Sequence, residues 1–161
     1  MKIEKLTEKY LADASRLANT IFKDEPILPG VAFEASLDKH KFDKLNDESI
    51  GKIYSLEYFI AVDESGEVLG TTGLYALEED KQEAYWLGWY CVDPKYRGRG
   101  IGGKLLDFTI EEAKNRGKKI LRLYTSPSDD EKTAQIIYDS RGFKTTGTEK
   151  KDGNKYEIIY K

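Results

Sequence analysis

One cysteine, one histidine and one methionine occur in 161 residues. The single cysteine, Cys91, excludes an internal disulfide and carries no sign of an oxidising compartment. One histidine and one cysteine do not furnish a zinc site or a Ser-His-Asp triad, and His40, set among Lys39, Lys41 and Asp43, reads as a solvated surface residue. No metal is expected. Long hydrophobic runs are absent too. The opening MKIEKLTEKY lacks the apolar segment of a secretion signal, and no stretch reaches the ~20 residues of a membrane span. A cytoplasmic protein without a membrane partner is the default expectation. Basic charge is not in excess: 26 Lys and Arg face 29 Asp and Glu, for a net charge of −3, and they are scattered. Nucleic acid is therefore not an expected partner. There is no repeat, linker or low-complexity stretch, so a single domain over 1–161 is expected.

What is present is enough apolar surface for a core: 39% hydrophobic and 12% aromatic residues. Their periods predict a short strand at 2–6 and a helix over 8–22, with Thr7 as N-cap and Leu11, Ala14, Leu17, Ala18 and Ile21 on one face. The stretch DEPILPG at 24–30 reads as a proline-punctuated loop, and 33–45 as one further helix. Strands at 56–63 and 68–76 flank a turn at 64–67, and a polar connection covers 78–83. AYWLGWYCV at 84–92 is almost continuously apolar, like a strand covered on both faces. A helix over 101–116 stops at Gly117, and a strand covers 119–125. The next helix, capped by Ser126 or Ser128 with Pro127 at its start, runs to Gly142. Segments 143–149 and 155–160 form a hairpin across Asp152-Gly153-Asn154. The sum is an α/β fold, a mixed sheet of six or seven strands with helices on both faces.

The segment VDPKYRGRGIGGKLL at 92–106 carries the chemistry. A glycine-rich turn there opens a helix, and bare amides at a helix start bind anions. Gly98, Gly103 and Lys104 have P-loop spacing, but Leu105 stands where that motif needs a magnesium-binding hydroxyl. Gly98, Gly100 and Gly103 fit GxGxxG, yet the strand at 119–125 ends in Tyr124 and Thr125, without the ribose-binding carboxylate, and Pro94 interrupts the tight turn.

A third pattern is Arg97-x-x-Gly100-x-Gly102. It resembles the pyrophosphate signature of the GNAT superfamily of N-acetyltransferases, including its lead-in of Val, acidic residue, Pro, x and Tyr at 92–96. Ala134-x-x-x-Tyr138-x-x-x-Gly142-Phe143 is similar to the helix that carries that superfamily's catalytic tyrosine and ends at Gly-Phe. The two motifs stand in the right order, about 40 residues apart. The expected element order follows the superfamily's pattern over nearly the whole chain.

The resemblance implies that acetyl-CoA is the co-substrate and that an amine is the acceptor. Amides of Arg97, Gly98, Arg99, Gly100, Ile101, Gly102 and Gly103 would hold the pyrophosphate, with Arg97 and Arg99 adding charge. A glycine-capped surface turn is the plain alternative. Backbone amides near Tyr90, Cys91 and Val92, at a splayed strand end, would polarise the acetyl carbonyl; an ordinary paired strand is the alternative. Tyr138 would protonate the leaving thiolate, or else be a core tyrosine with a satisfied hydroxyl. Two carboxylates compete as general base. Glu83 lies where many superfamily members carry one. Glu25 lies in FKDEPI, which looks like the segment of arylalkylamine and dopamine N-acetyltransferases whose glutamate deprotonates the amine through water. Glu25 is preferred; a proline-stopped helix end and a water chain remain open. Cys91, in an apolar strand without a nearby histidine, is not expected to carry the acyl group, so direct transfer in a ternary complex is favoured. The expected acceptor is a small primary amine, with a protein or peptide amine, or a catalytically silent CoA-binding module, as alternatives. Loops 24–34 and 77–83 would wall its site. Aromatic residues between Tyr54 and Tyr90 either line that site or pack helices onto the sheet. A monomer or a homodimer fits equally.

Overall fold

The structure, a computed structural model, describes residues 1–48, 52–126, 128–149 and 153–159. Its elements run β1 (Lys2–Lys5), α1 (Glu8–Ile21), α2 (Pro29–Leu37), α3 (Lys39–Glu48), β2 (Ile53–Val62), β3 (Val68–Leu77), β4 (Ala84–Leu87), β5 (Cys91–Val92), α4 (Ile101–Asn115), β6 (Ile120–Thr125), α5 (Lys132–Ser140), β7 (Lys144–Glu149) and β8 (Gly153–Ile159). The sheet order is β1-β2-β3-β4-β6-β8-β7, and β5 continues the line of β4 beside β3. Neighbours are antiparallel except β4 and β6, which run parallel. A parallel pair needs a long crossover, and α4 supplies it. The expected mixed sheet with helices on both faces is therefore present.

The two-residue period of β2 splits the core. Tyr58, Ile60 and Val62 pack under α1 and α2, while Ala61 packs with Ile101 and Leu105 of α4 on the opposite face. Leu105 and Leu106 are fully buried, each stabilising the fold by roughly 1.5–3 kcal/mol. Across this interface Thr72 Oγ1 and Thr109 Oγ1 meet at 2.7 Å, both fully buried, which satisfies two hydroxyls inside an apolar layer.

Several boundaries differ from the sequence reading. The single helix expected at 33–45 is two helices, and the first begins at Pro29. Proline suits a first helical position, where no N–H is needed. Gly30 N donates to Asn19 Oδ1 at 2.8 Å, tying α2 onto α1. The break falls at Asp38, in an extended conformation, whose Oδ1 accepts from Lys41 N at 3.0 Å and so caps α3. Thr7 holds the N-cap position of α1, but its side chain makes no capping bond. Before α5 there is a 3-10 turn, Asp129–Glu131, and neither serine caps the helix. Instead Glu131 accepts from Ser126 N and Ser126 Oγ, both at 2.8 Å. Gly153 and Asn154 belong to β8 rather than to a turn. Pro127, Asp152 and Tyr160 lie outside the described residues.

Candidate active site

The apolar segment expected as one strand at 84–92 is interrupted. Leu87 pairs with Leu74, and Cys91 with Thr71. Between these pairs three residues, Gly88, Trp89 and Tyr90, oppose two, Thr72 and Gly73. One extra residue on one strand is a β-bulge, which bends the chain and breaks its pairing. Trp89 takes φ 38°, a left-handed value that costs a non-glycine residue of order 1–3 kcal/mol. Three contacts hold it. Gly88 N donates to Gly73 O at 3.0 Å, Thr71 Oγ1 donates to Trp89 O at 2.6 Å, and the Trp89 ring meets Phe22 at 5.1 Å. Two glycines make room for the arrangement. A Cβ on Gly73 would lie 2.3 Å from the Tyr58 ring, and one on Gly88 would lie 3.2 Å from the Tyr58 hydroxyl. The Tyr58 ring thus crosses β3 and reaches the bulge. Beyond Trp86 the line of β4 is no longer paired to β6, and the sheet opens.

The glycine turn lies at the end of this opened line. Asp93 Oδ1 accepts from Lys95 N at 2.8 Å and starts the turn. Gly98 and Gly100 take φ 75° and 78°, and Gly100 is the N-cap of α4 with no side chain covering the first amides. Arg97 Nε donates to Val92 O at 3.1 Å, and the Arg99 guanidinium lies 5.2 Å from the centre of the Tyr96 ring. Both arginines are exposed, whereas the Ile101 side chain is buried and offers only its amide. Arg141, bidentate to Asp107 at 2.9 and 3.0 Å, stands beside Gly103. The residues fit an anionic, phosphate-bearing ligand: bare amides and a positive dipole end lie at one helix start, with two exposed arginines in the turn before it and the Arg141 guanidinium beside Gly103.

A cavity of about 410 Å³ occupies the opening. Leu87, Gly88, Trp89 and Tyr90 form one lip, and Leu123, Tyr124, Ala134 and Tyr138 form the other. It extends beneath the α1–α2 loop, where Phe22, Glu25 and Ile27 line it. Tyr138 and Glu25, distant in sequence, therefore face one space. Burial pushes the Tyr138 phenol well above its ordinary value, with the neighbouring Tyr90, 5.9 Å away ring to ring, adding to the shift. Tyr138 keeps its proton at any neutral pH. Glu83 does not line the cavity. Its carboxylate pairs with Arg122 at 3.2 Å, and Arg122 also holds Asp80, which accepts from Trp86 Nε1 at 2.9 Å. Cys91 is buried, its thiol pushed up to about 11 by burial, with Thr71 Oγ1 at 3.3 Å. Tyr90 and Val92 are half-buried beside α4, and a Cβ on Gly102 would lie 2.8 Å from the Tyr90 hydroxyl. A second hollow, about 360 Å³ between α1 and Glu67, Val68, Asp93 and Pro94, contains none of the candidate catalytic residues.

Two participants were not singled out from sequence: Thr71 and Phe22. Thr71 gives no signal beyond a threonine in a strand. Tyr58, one of the aromatic residues expected either to line the site or to pack the sheet, is marked further by Gly73 and Gly88, glycines in strand interiors that signal a close approach.

Fold and site together define an α/β protein with an uncovered helix start beside an opened strand. Residues 21–143 match the Acetyltransferase (GNAT) family, and the chain belongs to that family. An uncharacterized N-acetyltransferase of Methanocaldococcus jannaschii is 39% identical over 64 residues, which are 40% of this chain and 27% of that protein. That match thus spans just over a quarter of the relative's length. A solved ribosomal-protein-alanine N-acetyltransferase from Brucella melitensis superposes with a TM-score of 0.70 at 21% identity, covering 99% of this chain and 100% of the other. A solved aminoglycoside 6'-N-acetyltransferase complexed with coenzyme A gives 0.68 at 15% identity, covering 99% and 97%. At this identity the likeness is one of fold. No helix among the described residues is long and apolar enough to cross a membrane.

Proposed function

We propose that this chain transfers the acetyl group of acetyl-CoA to a small primary amine by direct attack within a ternary complex. One observation carries the proposal: the bulge at Gly88–Tyr90 opens the sheet between an uncovered helix start and a buried, protonated Tyr138. In this reading amides of residues 97–103 hold the pyrophosphate, helped by Arg97 and Arg99. The thioester then lies along the opened strand, and the bulge turns backbone amides near Tyr90, Cys91 and Val92 toward its carbonyl oxygen. Among the described residues no carbonyl accepts from the Trp89 or Tyr90 N–H, which leaves them available for the charge that develops there.

The amine nitrogen forms the new C–N bond as the C–S bond breaks. The departing thiolate takes the phenolic proton of Tyr138. Burial keeps the Tyr138 phenol protonated so that it has a proton to give, and the phenolate is reprotonated by solvent once coenzyme A leaves. The ammonium gives up its protons through Glu25, whose exposed carboxylate at the cavity mouth can pass them to solvent. Glu25 suits this role better than Glu83, which is tied to Arg122 outside the cavity. The buried thiol of Cys91 supports direct transfer over an acyl-enzyme.

The test is thiol release from acetyl-CoA across a panel of amines, with coenzyme A affinity measured separately. Tyr138→Phe should lower acceptor-dependent release by about 10²–10⁴-fold and leave coenzyme A affinity unchanged. Equal loss of both would assign Tyr138 to packing. A protein that binds coenzyme A yet releases no thiol with any of the acceptors would be a binding module.

A further inference from the structure

The helix that carries Tyr138 is lightly held. In α5 only Tyr138 is buried, and Ile136 is 69% exposed. Its C-terminal end is fixed to α4 through Arg141. That residue donates to Asp107 from Nε at 2.9 Å and from Nη2 at 3.0 Å, and to Ser140 Oγ from Nη1 at 2.9 Å. A bidentate fork fixes orientation as well as distance. Arg141 and Asp107 are 30% and 55% exposed, so the pair adds little to stability.

The same guanidinium stands over the start of α4. Its Nη2 lies 2.8 Å from where a Cβ on Gly103 would be, and the Tyr90 hydroxyl lies 2.8 Å from the corresponding point on Gly102. The Tyr90 ring in turn meets the Tyr138 ring at 5.9 Å. An arginine has five N–H donors. Among the described residues Arg141 uses three of them, two on Asp107 and one on Ser140. The other two belong to a guanidinium that borders the uncovered amides of the first turn. Without Arg141, Asp107 would set an unpaired carboxylate one turn from that anion site.

An arginine shared by the proposed pyrophosphate site and the proton-donor helix makes one depend on the other. We infer that Arg141 binds the donor's pyrophosphate, and that this contact, braced by Asp107, sets Tyr138 in place to protonate the leaving thiolate. The pyrophosphate then contributes to kcat as well as to affinity, because binding energy from a remote group is used at the reacting centre. This rests on the acetyl-transfer reading and goes beyond it, since 141 is an unspecified position of the AxxxYxxxGF pattern.

The experiment compares three donors with the best acceptor of the amine panel: acetyl-CoA, acetyl-dephospho-CoA, which keeps the pyrophosphate, and S-acetylpantetheine, which lacks it. Calorimetry measures coenzyme A and pantetheine binding separately. Arg141→Gln should lose at least about tenfold more kcat with the two pyrophosphate donors than with S-acetylpantetheine, and its coenzyme A affinity should fall by about tenfold. Arg141→Lys keeps the charge without the fork, and should recover affinity but not kcat. Asp107→Asn, which loosens the fork from the α4 side, should lower kcat with undiminished coenzyme A affinity. Equal losses on all three donors assign Arg141 to packing and overturn the inference. A loss confined to acetyl-CoA, the one donor with a ribose phosphate, overturns it as well. If the wild type acetylates no amine, the transferase reading fails, and calorimetry alone decides the contact: unchanged coenzyme A affinity in Arg141→Gln overturns it, and a loss absent with pantetheine upholds it.

Discussion

The Thr71 hydroxyl donates to the Trp89 carbonyl at 2.6 Å across the bulge that opens the sheet. Thr71 is fully buried and Trp89 has φ 38°. The bond turns that carbonyl into the sheet, and this in turn fixes which way the following amides face. Thr71→Val keeps the shape and removes the donor, leaving a buried carbonyl short of a partner at a cost of about 1–3 kcal/mol. We expect a lower Tm, a fall in kcat of at least about tenfold and unchanged coenzyme A affinity, with Thr71→Ser restoring most of the rate. A valine variant with wild-type kcat would sever the bulge from catalysis.

Gly102 and Tyr90 form a second coupled pair. A side chain on Gly102 would meet the Tyr90 hydroxyl at 2.8 Å, at the helix start proposed to hold the pyrophosphate. Gly102→Ala should weaken coenzyme A binding by about tenfold, and removing the obstructing oxygen with Tyr90→Phe should recover part of that loss. Calorimetry on both single variants and the double variant gives the coupling. Strict additivity would refute the contact.

Cys91 is set up to be inert. With its thiol pushed up to about 11 by burial, the thiolate is scarcer at pH 8 than in a free cysteine of pKa ~8.5 by roughly two orders of magnitude. Iodoacetamide should label the native protein at least about a hundredfold more slowly than glutathione, and label it fully in denaturant. Cys91→Ser should retain acetyl transfer, and trapping of an acetylated Cys91 would disprove the direct route.

Acid stability should depend on Glu57. Its carboxylate accepts from Arg116 at 2.8 Å and pairs with Lys5 at 3.2 Å. Burial pushes its pKa up, but the hydrogen bonds and charges of Arg116 and Lys5 outweigh burial and hold it below the ordinary carboxylate value. A lowered folded pKa gives a contribution that is complete above the unfolded value of about 4.3 and is lost as pH falls through the folded one. Unfolding free energy should therefore drop more steeply below about pH 4 in the wild type than in Glu57→Gln. Parallel curves would show that the pair is energetically silent.

Local chemistry made much of this legible. Gly98, Gly100 and Gly117 sit at positive φ where the sequence reading put turns and a helix stop. Ala14 and Ala18 are buried on the helix face their spacing predicts. These features depend on neighbours within a few residues. The misread stretch at 29–48 failed for a comparably local reason: Asp38 offers its side chain to the Lys41 amide, and that competes successfully with continuing the helix. The interruption at 88–90 was different. AYWLGWYCV has the composition of an unbroken core strand; Gly88 is its one interior sign of an irregularity, and a splay there was expected only from the family resemblance.

Sequence alone determined most of the order of strands and helices, though not the splits between α2 and α3 or β4 and β5, along with the bare glycine turn that opens α4 and two motifs that point to one family. These follow from side-chain period, from φ values that only glycine adopts freely, and from amides that no side chain covers. Tertiary structure decided where the site is. It placed Thr71 and Tyr58, on β3 and β2, against a chain segment 18 and some thirty residues later respectively. It also brought Glu25 and Tyr138 to one cavity and tied Glu83 to Arg122 outside it. Those outcomes depend on strand register and close packing between distant segments, where a one-residue mismatch in pairing opens a sheet that the sequence pattern would have left closed.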